Sequence, residues 1–308
     1  MKKIVLANPR GFCAGVERAI AIVELALKRF GAPVYVRHEV VHNAFVCDNL
    51  RQKGAIFIED LNQVPAGATL IFSAHGVSKQ VRQDAQKRGF RLLDATCPLV
   101  TKVHKEVEKM HQNGKKVVII GHKGHPEVQG TMGQIDAPMF LVEKESDIAH
   151  LPLKATDCVS YVTQTTLSMD DAQKQIAALK KRFVHLEAPK KADICFATQN
   201  RQDAVKKLAK LCEVILVVGS SNSSNSRRLK EVAESQGKRA YLIDNASQIQ
   251  KEWLNKTQSV GITAGASAPE VLVQEVVLFL ENYFQTKASN LKGIEENVNF
   301  PLPHVLMD

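Results

Sequence analysis

The sequence predicts an α/β fold built from three similar units with mainly parallel sheets. Three observations carry that prediction. Apolar strand-like runs alternate with amphipathic helical stretches, one strand–loop–helix layout recurs three times, and each recurrence carries a cysteine at the corresponding place. The strand runs are Ile4–Ala7, Val34–Arg37, Leu70–Ser73, Lys116–Ile120, Val159–Thr163, Val214–Val218 and Ser259–Thr263. Helical periodicity covers Val16–Arg29, Lys79–Arg88, Val100–Gln112, Met169–Arg182, Arg201–Leu211, Ser226–Gln236 and Pro269–Tyr283.

The recurring pattern starts with a cysteine loop: NPRGFCAG, LLDATCP and DICFATQN, each followed by an amphipathic helix. A strand ending in a polar loop comes next: VRHEVVHN, IIGHKGHPE and LVVGSSNSSN. Cys13 to His42, Cys97 to His125 and Cys195 to Asn225 span 29, 28 and 30 residues. A second strand ends in FSAHGVS, YVTQTTLS or ITAGASAP, placing His75, Thr165 and Ser267 at 62, 68 and 72 residues from the same cysteines. The expected units are 1–97, 98–192 and 193–285, with a tail at 286–308. Ligands of such sheets bind beyond the carboxyl ends of strands, where helices begin. Three units with pseudo-threefold symmetry would aim three cysteines and six polar loops at one central cavity.

Composition narrows the function classes. With 308 residues, 44% hydrophobic and 24% charged, the chain has the balance of a soluble globular protein with room for two or three domains. The opening MKKIVLANPRG breaks its apolar run too soon for a signal peptide or membrane span, so a cytoplasmic protein is expected. A net charge of +9 suits an anionic partner, either a phosphorylated substrate or an acidic protein. Aromatic residues make up 6% and do not interleave with the basic ones, which argues against nucleic-acid binding. No heptad pattern asks for a partner helix, and a monomer is expected.

The six cysteines divide by context. Cys47 in AFVCDNL, Cys158 in CVSYV and Cys212 before EVILVV fall within helical or strand patterns, where a thiol packs as a small hydrophobe. Cys13, Cys97 and Cys195 occupy loops flanked by Gly, Pro or Thr, which suits thiolate ligands. Gly11 and Gly15 around Cys13 let backbone pass close to a bound group; a tight turn holding a buried thiol is the other reading. Three thiolates fit zinc or an iron–sulfur cluster with one coordination position open, and their spacing does not choose between the two. A zinc-dependent hydrolase of a phosphorylated compound is therefore a live alternative.

The polar loops indicate what binds. Ser220–Asn225 lies between a strand and a helix, where hydroxyls, amides and open backbone N–H groups make either a phosphate cradle or an ordinary helix cap. Gly265–Pro269 repeats the layout. His42, His75 and His125 stand in corresponding loops, suiting phosphate contact or proton delivery. Glu127, two residues beyond His125, is either a proton donor or a helix-start carboxylate.

Taken together, NPRGFCAGV, RHEVVHN, FSAHGVS, DATCPLVTKVH, GHKGHPEVQGTMGQ, TQTTLS, DICFATQNRQ, VVGSSNSSNSRRL and GITAGASAP resemble the 4-hydroxy-3-methylbut-2-enyl diphosphate reductase family, in its order and over residues 4–275. The resemblance implies a [4Fe–4S] cluster held by Cys13, Cys97 and Cys195, with one iron free of protein thiolate. It implies reductive removal of a hydroxyl from an allylic diphosphate, giving isopentenyl and dimethylallyl diphosphates in the last step of the non-mevalonate isoprenoid pathway. It also implies a ferredoxin- or flavodoxin-type electron donor. Carried over position by position, the diphosphate contacts are His42, His75, His125, Ser223, Ser224, Asn225 and Ser267. Glu127 is the proton source, with His125 also in the catalytic group. Thr165 lies near the substrate hydroxyl, and Gln164 and Thr198 support these groups.

Overall fold

The computed structural model describes residues 2–307. The chain begins β1 (Lys3–Leu6), α1 (Ala14–Phe30), β2 (Val34–Arg37), α2 (Ala44–Gln52), β3 (Ala55–Ile58), β4 (Thr69–Phe72), α3 (Lys79–Lys87), β5 (Arg91–Asp94) and α4 (Pro98–Gln112). It continues with β6 (Lys116–Ile120), α5 (Pro126–Met132), β7 (Phe140–Val142), α6 (Glu145–Ala149), β8 (Cys158–Thr163), α7 (Met169–Arg182) and β9 (His185–Glu187). The last part holds α8 (Phe196–Leu211), β10 (Val214–Val218), α9 (Ser224–Ser235), β11 (Arg239–Ile243), α10 (Lys251–Leu254), β12 (Ser259–Ala264), α11 (Glu270–Phe284) and β13 (Ala288–Asn290).

Three sheets result, ordered β11-β10-β12-β1-β13, β3-β2-β4-β5 and β7-β6-β8-β9, and every strand pair among the described residues is parallel. The α/β prediction holds, and so does its threefold repetition. Each sheet runs second strand, first, third, then a fourth that leads into a cysteine loop: β5 before Cys97, β9 before Cys195 and β1 before Cys13. Thus the N-terminal strand pairs with β12 and β13 rather than with β2–β5. Its composition explains the position. In KIVL only Lys3 is exposed, and a strand apolar on both faces needs neighbours and cover on both sides.

The chain forms two compact units. One comprises residues 1–17, 42–46 and 196–299; the other comprises 18–41, 47–195 and 300–308. In the first, Ile4, Leu6, Val214, Leu216 and Val218 pack with Leu272, Val273, Val276 and Leu280 of α11. Val5, Ala7, Ile215 and Val217 point the other way, onto Val205 and Leu208 of α8 and Leu229 and Val232 of α9. Alternation along the strand thus builds a helix–sheet–helix sandwich, each buried Val, Ile or Leu contributing about 1.5–3 kcal/mol over exposure. In the second unit, Leu70 and Phe72 of β4 pack with Val77 and Ala85. There too Val117, Ile119 and Val162 pack with Val103, Val107 and Met110 of α4. The strands the sequence reading missed all lie at sheet edges. β9 reads exposed–intermediate–exposed, and β13 pairs with β1 alone.

No helix among the described residues is long and apolar enough to cross a membrane.

Candidate active site

The six polar loops all follow the first or third strand of a sheet. They leave the carboxyl ends of β2 (His42), β4 (His75), β6 (His125), β8 (Thr165), β10 (Ser223) and β12 (Ser267). These strands are central in their sheets, so the loops are anchored on fully paired backbone. The cysteines then attach to the third-strand loops by one repeated hydrogen bond. The Cys13 N–H donates to the Ala266 carbonyl (3.3 Å), Cys97 to Ala74 (3.0 Å) and Cys195 to Thr165 (3.1 Å). Ala266 precedes Ser267, Ala74 precedes His75, and Thr165 is itself a site candidate.

Each of the three cysteines is half-buried and stands immediately before a helix: α1, α4 and α8 respectively. Cys97 is the N-cap of α4, makes no side-chain capping bond, and is followed by Pro98 in the first helical turn. The unpaired N–H groups at a helix N-terminus present positive charge to the group that stands there. Cys97 and Cys195 belong to one compact unit and Cys13 to the other. Cys47 and Cys212 are buried as expected, and burial pushes the Cys212 thiol up to about 11. The expectation that Cys158 packs is incorrect. It is exposed at the first position of β8, where the strand emerges from solvent, and only the five residues after it are buried.

In the unit carrying residues 47–195, the groups gather around Glu127. Its side chain is 4% exposed, and both oxygens meet Thr165: the N–H donates to Oε1 at 2.6 Å and the hydroxyl lies 2.9 Å from Oε2. Burial drives the Glu127 carboxyl up to about 7; the two Thr165 hydrogen bonds oppose that shift and the charge of Asp193 adds to it. His125 caps α5, its Nδ1 accepting from the Glu127 N–H at 3.1 Å. Because Nδ1 accepts, the neutral ring carries its proton on Nε2. The His75 and His125 rings meet edge to face with centroids 5.8 Å apart. Gln164 supports the loop from below: Oε1 accepts from the His122 N–H (3.0 Å) and Nε2 donates to the Thr166 hydroxyl (2.9 Å).

The other unit assembles the serine loop. Ser223 caps α9 by accepting from the Ser226 N–H (3.3 Å), so the plain capping function is real. Its hydroxyl also takes part in a wider cluster. The Ser267 hydroxyl donates to the His42 carbonyl at 2.9 Å and lies 3.4 Å from Ser223 Oγ. Asn225 Oδ1 accepts from the Ala266 N–H (2.8 Å), and Nδ2 donates to the Thr198 hydroxyl at 3.4 Å. His42, Thr198, Ser223, Ser224, Asn225 and Ser267 are all buried. A nest of hydroxyl and amide groups at a helix N-terminus suits a polyanion.

Two groups escaped sequence reading. Asp193 is buried two residues before Cys195, binding Lys102 Nζ (2.6 Å) through Oδ1 and the Thr163 N–H (2.9 Å) through Oδ2. Arg201 lies in a helical run like any surface cation, yet it is fully buried. The only available signal was its place directly behind the Cys195 loop.

Comparison with known proteins meets this geometry. The LytB protein family matches residues 4–281. The chain belongs to the LytB family. A relative from Dechloromonas aromatica named 4-hydroxy-3-methylbut-2-enyl diphosphate reductase is 63% identical over 301 residues, covering 98% of each chain. One of the same name from Acinetobacter baumannii is 57% identical over 308 residues, covering 99% of this chain and 98% of its own. Among solved structures, the E-1-hydroxy-2-methyl-but-2-enyl-4-diphosphate reductase of Plasmodium falciparum superposes with a TM-score of 0.97 at 42% identity, over 99% of this chain and 97% of that one. A second reductase, described as the terminal enzyme of the non-mevalonate pathway, gives 0.65 at 32% identity, over 92% and 100%.

Proposed function

We propose that this LytB-family chain is an iron–sulfur reductase that removes the hydroxyl of (E)-4-hydroxy-3-methylbut-2-enyl diphosphate to give isopentenyl and dimethylallyl diphosphates. The observation that carries the reading is the buried Glu127–Thr165 pair. A carboxyl pushed up to about 7, against the hydroxyl of a residue whose carbonyl accepts from the Cys195 N–H, is what protonation of a leaving hydroxyl requires.

The net change consumes two electrons and two protons. A C–O bond breaks, the oxygen leaves as water, and a C–H bond forms at either end of the allylic unit, which gives the two products. Cys13, Cys97 and Cys195 would hold the cluster. A donor set of three thiols, each ahead of a helix, fits a soft-metal site. When bound, a [4Fe–4S] cluster with one open iron supplies the electrons singly and a Lewis acid for the substrate oxygen.

The remaining roles belong to the protein. Thr165 N–H occupies Glu127 Oε1, so the acidic proton resides on Oε2, facing the Thr165 hydroxyl. That hydroxyl passes the proton on by turning its own hydrogen toward the substrate oxygen while accepting from Oε2. His125 offers Nε2–H, and His42, His75, Ser223, Ser224, Asn225 and Ser267 offer donors for the diphosphate. Gln164 and Thr198 hold these groups in place. Electrons come from a ferredoxin- or flavodoxin-type donor, and the enzyme works in the cytoplasm as a monomer.

Anaerobic purification with iron and sulfide analysis tests the reading. Brown protein with broad visible absorption, turning over the diphosphate with a reduced donor, is the expected result. Colourless protein holding only zinc would replace it with the hydrolase alternative.

A further inference from the structure

We infer that Arg201, locked by Glu296, is the positioning residue for the Cys13 loop, and that the C-terminal stretch is thereby part of the site's framework. All of its parts lie in one compact unit. Arg201 rises from the first turns of α8, six residues after Cys195, and has no exposed surface. Each of its five N–H groups has an acceptor. Nε and Nη2 donate to the Gly11 carbonyl (3.0 and 2.8 Å), and Nη2 donates also to the Phe12 carbonyl (2.9 Å). Nη1 donates to the Ala197 carbonyl (3.0 Å) and to both oxygens of Glu296 (3.0 Å each). The two residues before Cys13 are therefore fixed through their carbonyls by one planar cation, a geometry that a lysine ammonium does not reproduce.

Glu296 neutralises that cation. Its carboxylate is mostly buried, and Oε1 accepts also from Asn200 Nδ2 at 2.9 Å. A buried guanidinium without its counter-charge is costly, so the carboxylate is what lets Arg201 stay inside. Glu296 lies beyond residue 281, where the family match stops. The chain reaches it along a defined path: Leu291 N–H donates to the Leu6 carbonyl (2.8 Å), and Gly293 crosses Asn8 so closely that a Cβ would lie 2.0 Å from the Asn8 carbonyl oxygen. Gly11 itself adopts φ +69°, a conformation that side chains disfavour and that needs outside support to persist.

The functional meaning rests on the reading of Cys13 as a ligand, and the test separates the two. In the full chain stripped of metal, iodoacetamide labelling followed by peptide mass spectrometry reads all six cysteines individually. Exposed Cys158 sets the reference rate, and buried Cys47 and Cys212 report global opening. Glu296→Ala is expected to speed Cys13 labelling roughly tenfold against Cys158, the scale of losing one hydrogen bond to a charged group. Cys97, Cys195, Cys47 and Cys212 stay at wild-type rates. Arg201→Lys gives the same signature; if that variant labels at Cys47 and Cys212 it has unfolded, and Glu296→Ala alone decides. In the metal-loaded protein, Glu296→Ala also releases iron to a chelator faster. An unchanged Cys13 rate in Glu296→Ala, or acceleration of every cysteine together, overturns the inference. Retention of a full iron complement by Cys13→Ser would instead remove the ligand reading and leave the labelling result standing.

Discussion

A buried carboxylic acid is a proton store only while it keeps its proton. Glu127, driven up to about 7 by burial, is protonated below that value and loses the proton as pH rises through it. Turnover is therefore expected to fall on the alkaline side with an apparent pKa near 7, measured as kcat against pH. Glu127→Gln should lower kcat about 10²–10⁴-fold and abolish that limb while iron and sulfide content stays at wild-type levels. Thr165→Ala removes a hydrogen bond that favours the carboxylate, so its alkaline limb moves to higher pH as kcat falls. At this scale the sequence was partly legible. Glu127 stood out beside His125, but Thr165 is 38 residues away and their pairing exists only because β6 and β8 are neighbours. Arg201 was illegible for a related reason: the Gly11 and Phe12 carbonyls it holds lie about 190 residues away, and no side-chain pattern encodes a carbonyl.

Among the elements, the helix starts carry the candidate site residues, and the sequence announced them well because strand–loop–helix junctions carry serine, asparagine and histidine. The structure adds that capping a helix leaves a serine hydroxyl able to join a wider cluster. Ser223 caps α9, and its hydroxyl meets Ser226 and Ser267 as well. Ser223→Ala should cost about 1 kcal/mol in unfolding free energy through the lost cap and also raise KM for the diphosphate. Asn225→Ala should have the cleaner kinetic effect, raising KM roughly tenfold with a smaller change in kcat, since Asn225 ties the serine loop to the Ala266 backbone and faces Thr198. The strand runs central in their sheets were read correctly. Cys158 was misread because a strand's first residue has the period of the strand without its burial.

For the whole molecule, the repeat was legible because each copy marks itself with a cysteine, but the pairing that completes the first sheet was not. β1 is assigned by its partners, which lie more than 250 residues away in β12 and β13. Replacing Cys13, Cys97 or Cys195 with Ser should sharply reduce iron and sulfide per chain, whereas Cys47→Ser and Cys158→Ser should retain both. Elemental analysis of anaerobic preparations checks this division. The position of β1 also sets a timetable. β1 is made before the strands that flank it, β12 and β13, and before the Arg201 and Glu296 that hold the loop after it. Cys13 is thus made before Cys97 and Cys195, yet the strands that frame its loop are made after both. Any metal held through the Cys13 loop would therefore meet a shaped loop only once β12, β13 and Glu296 are in place.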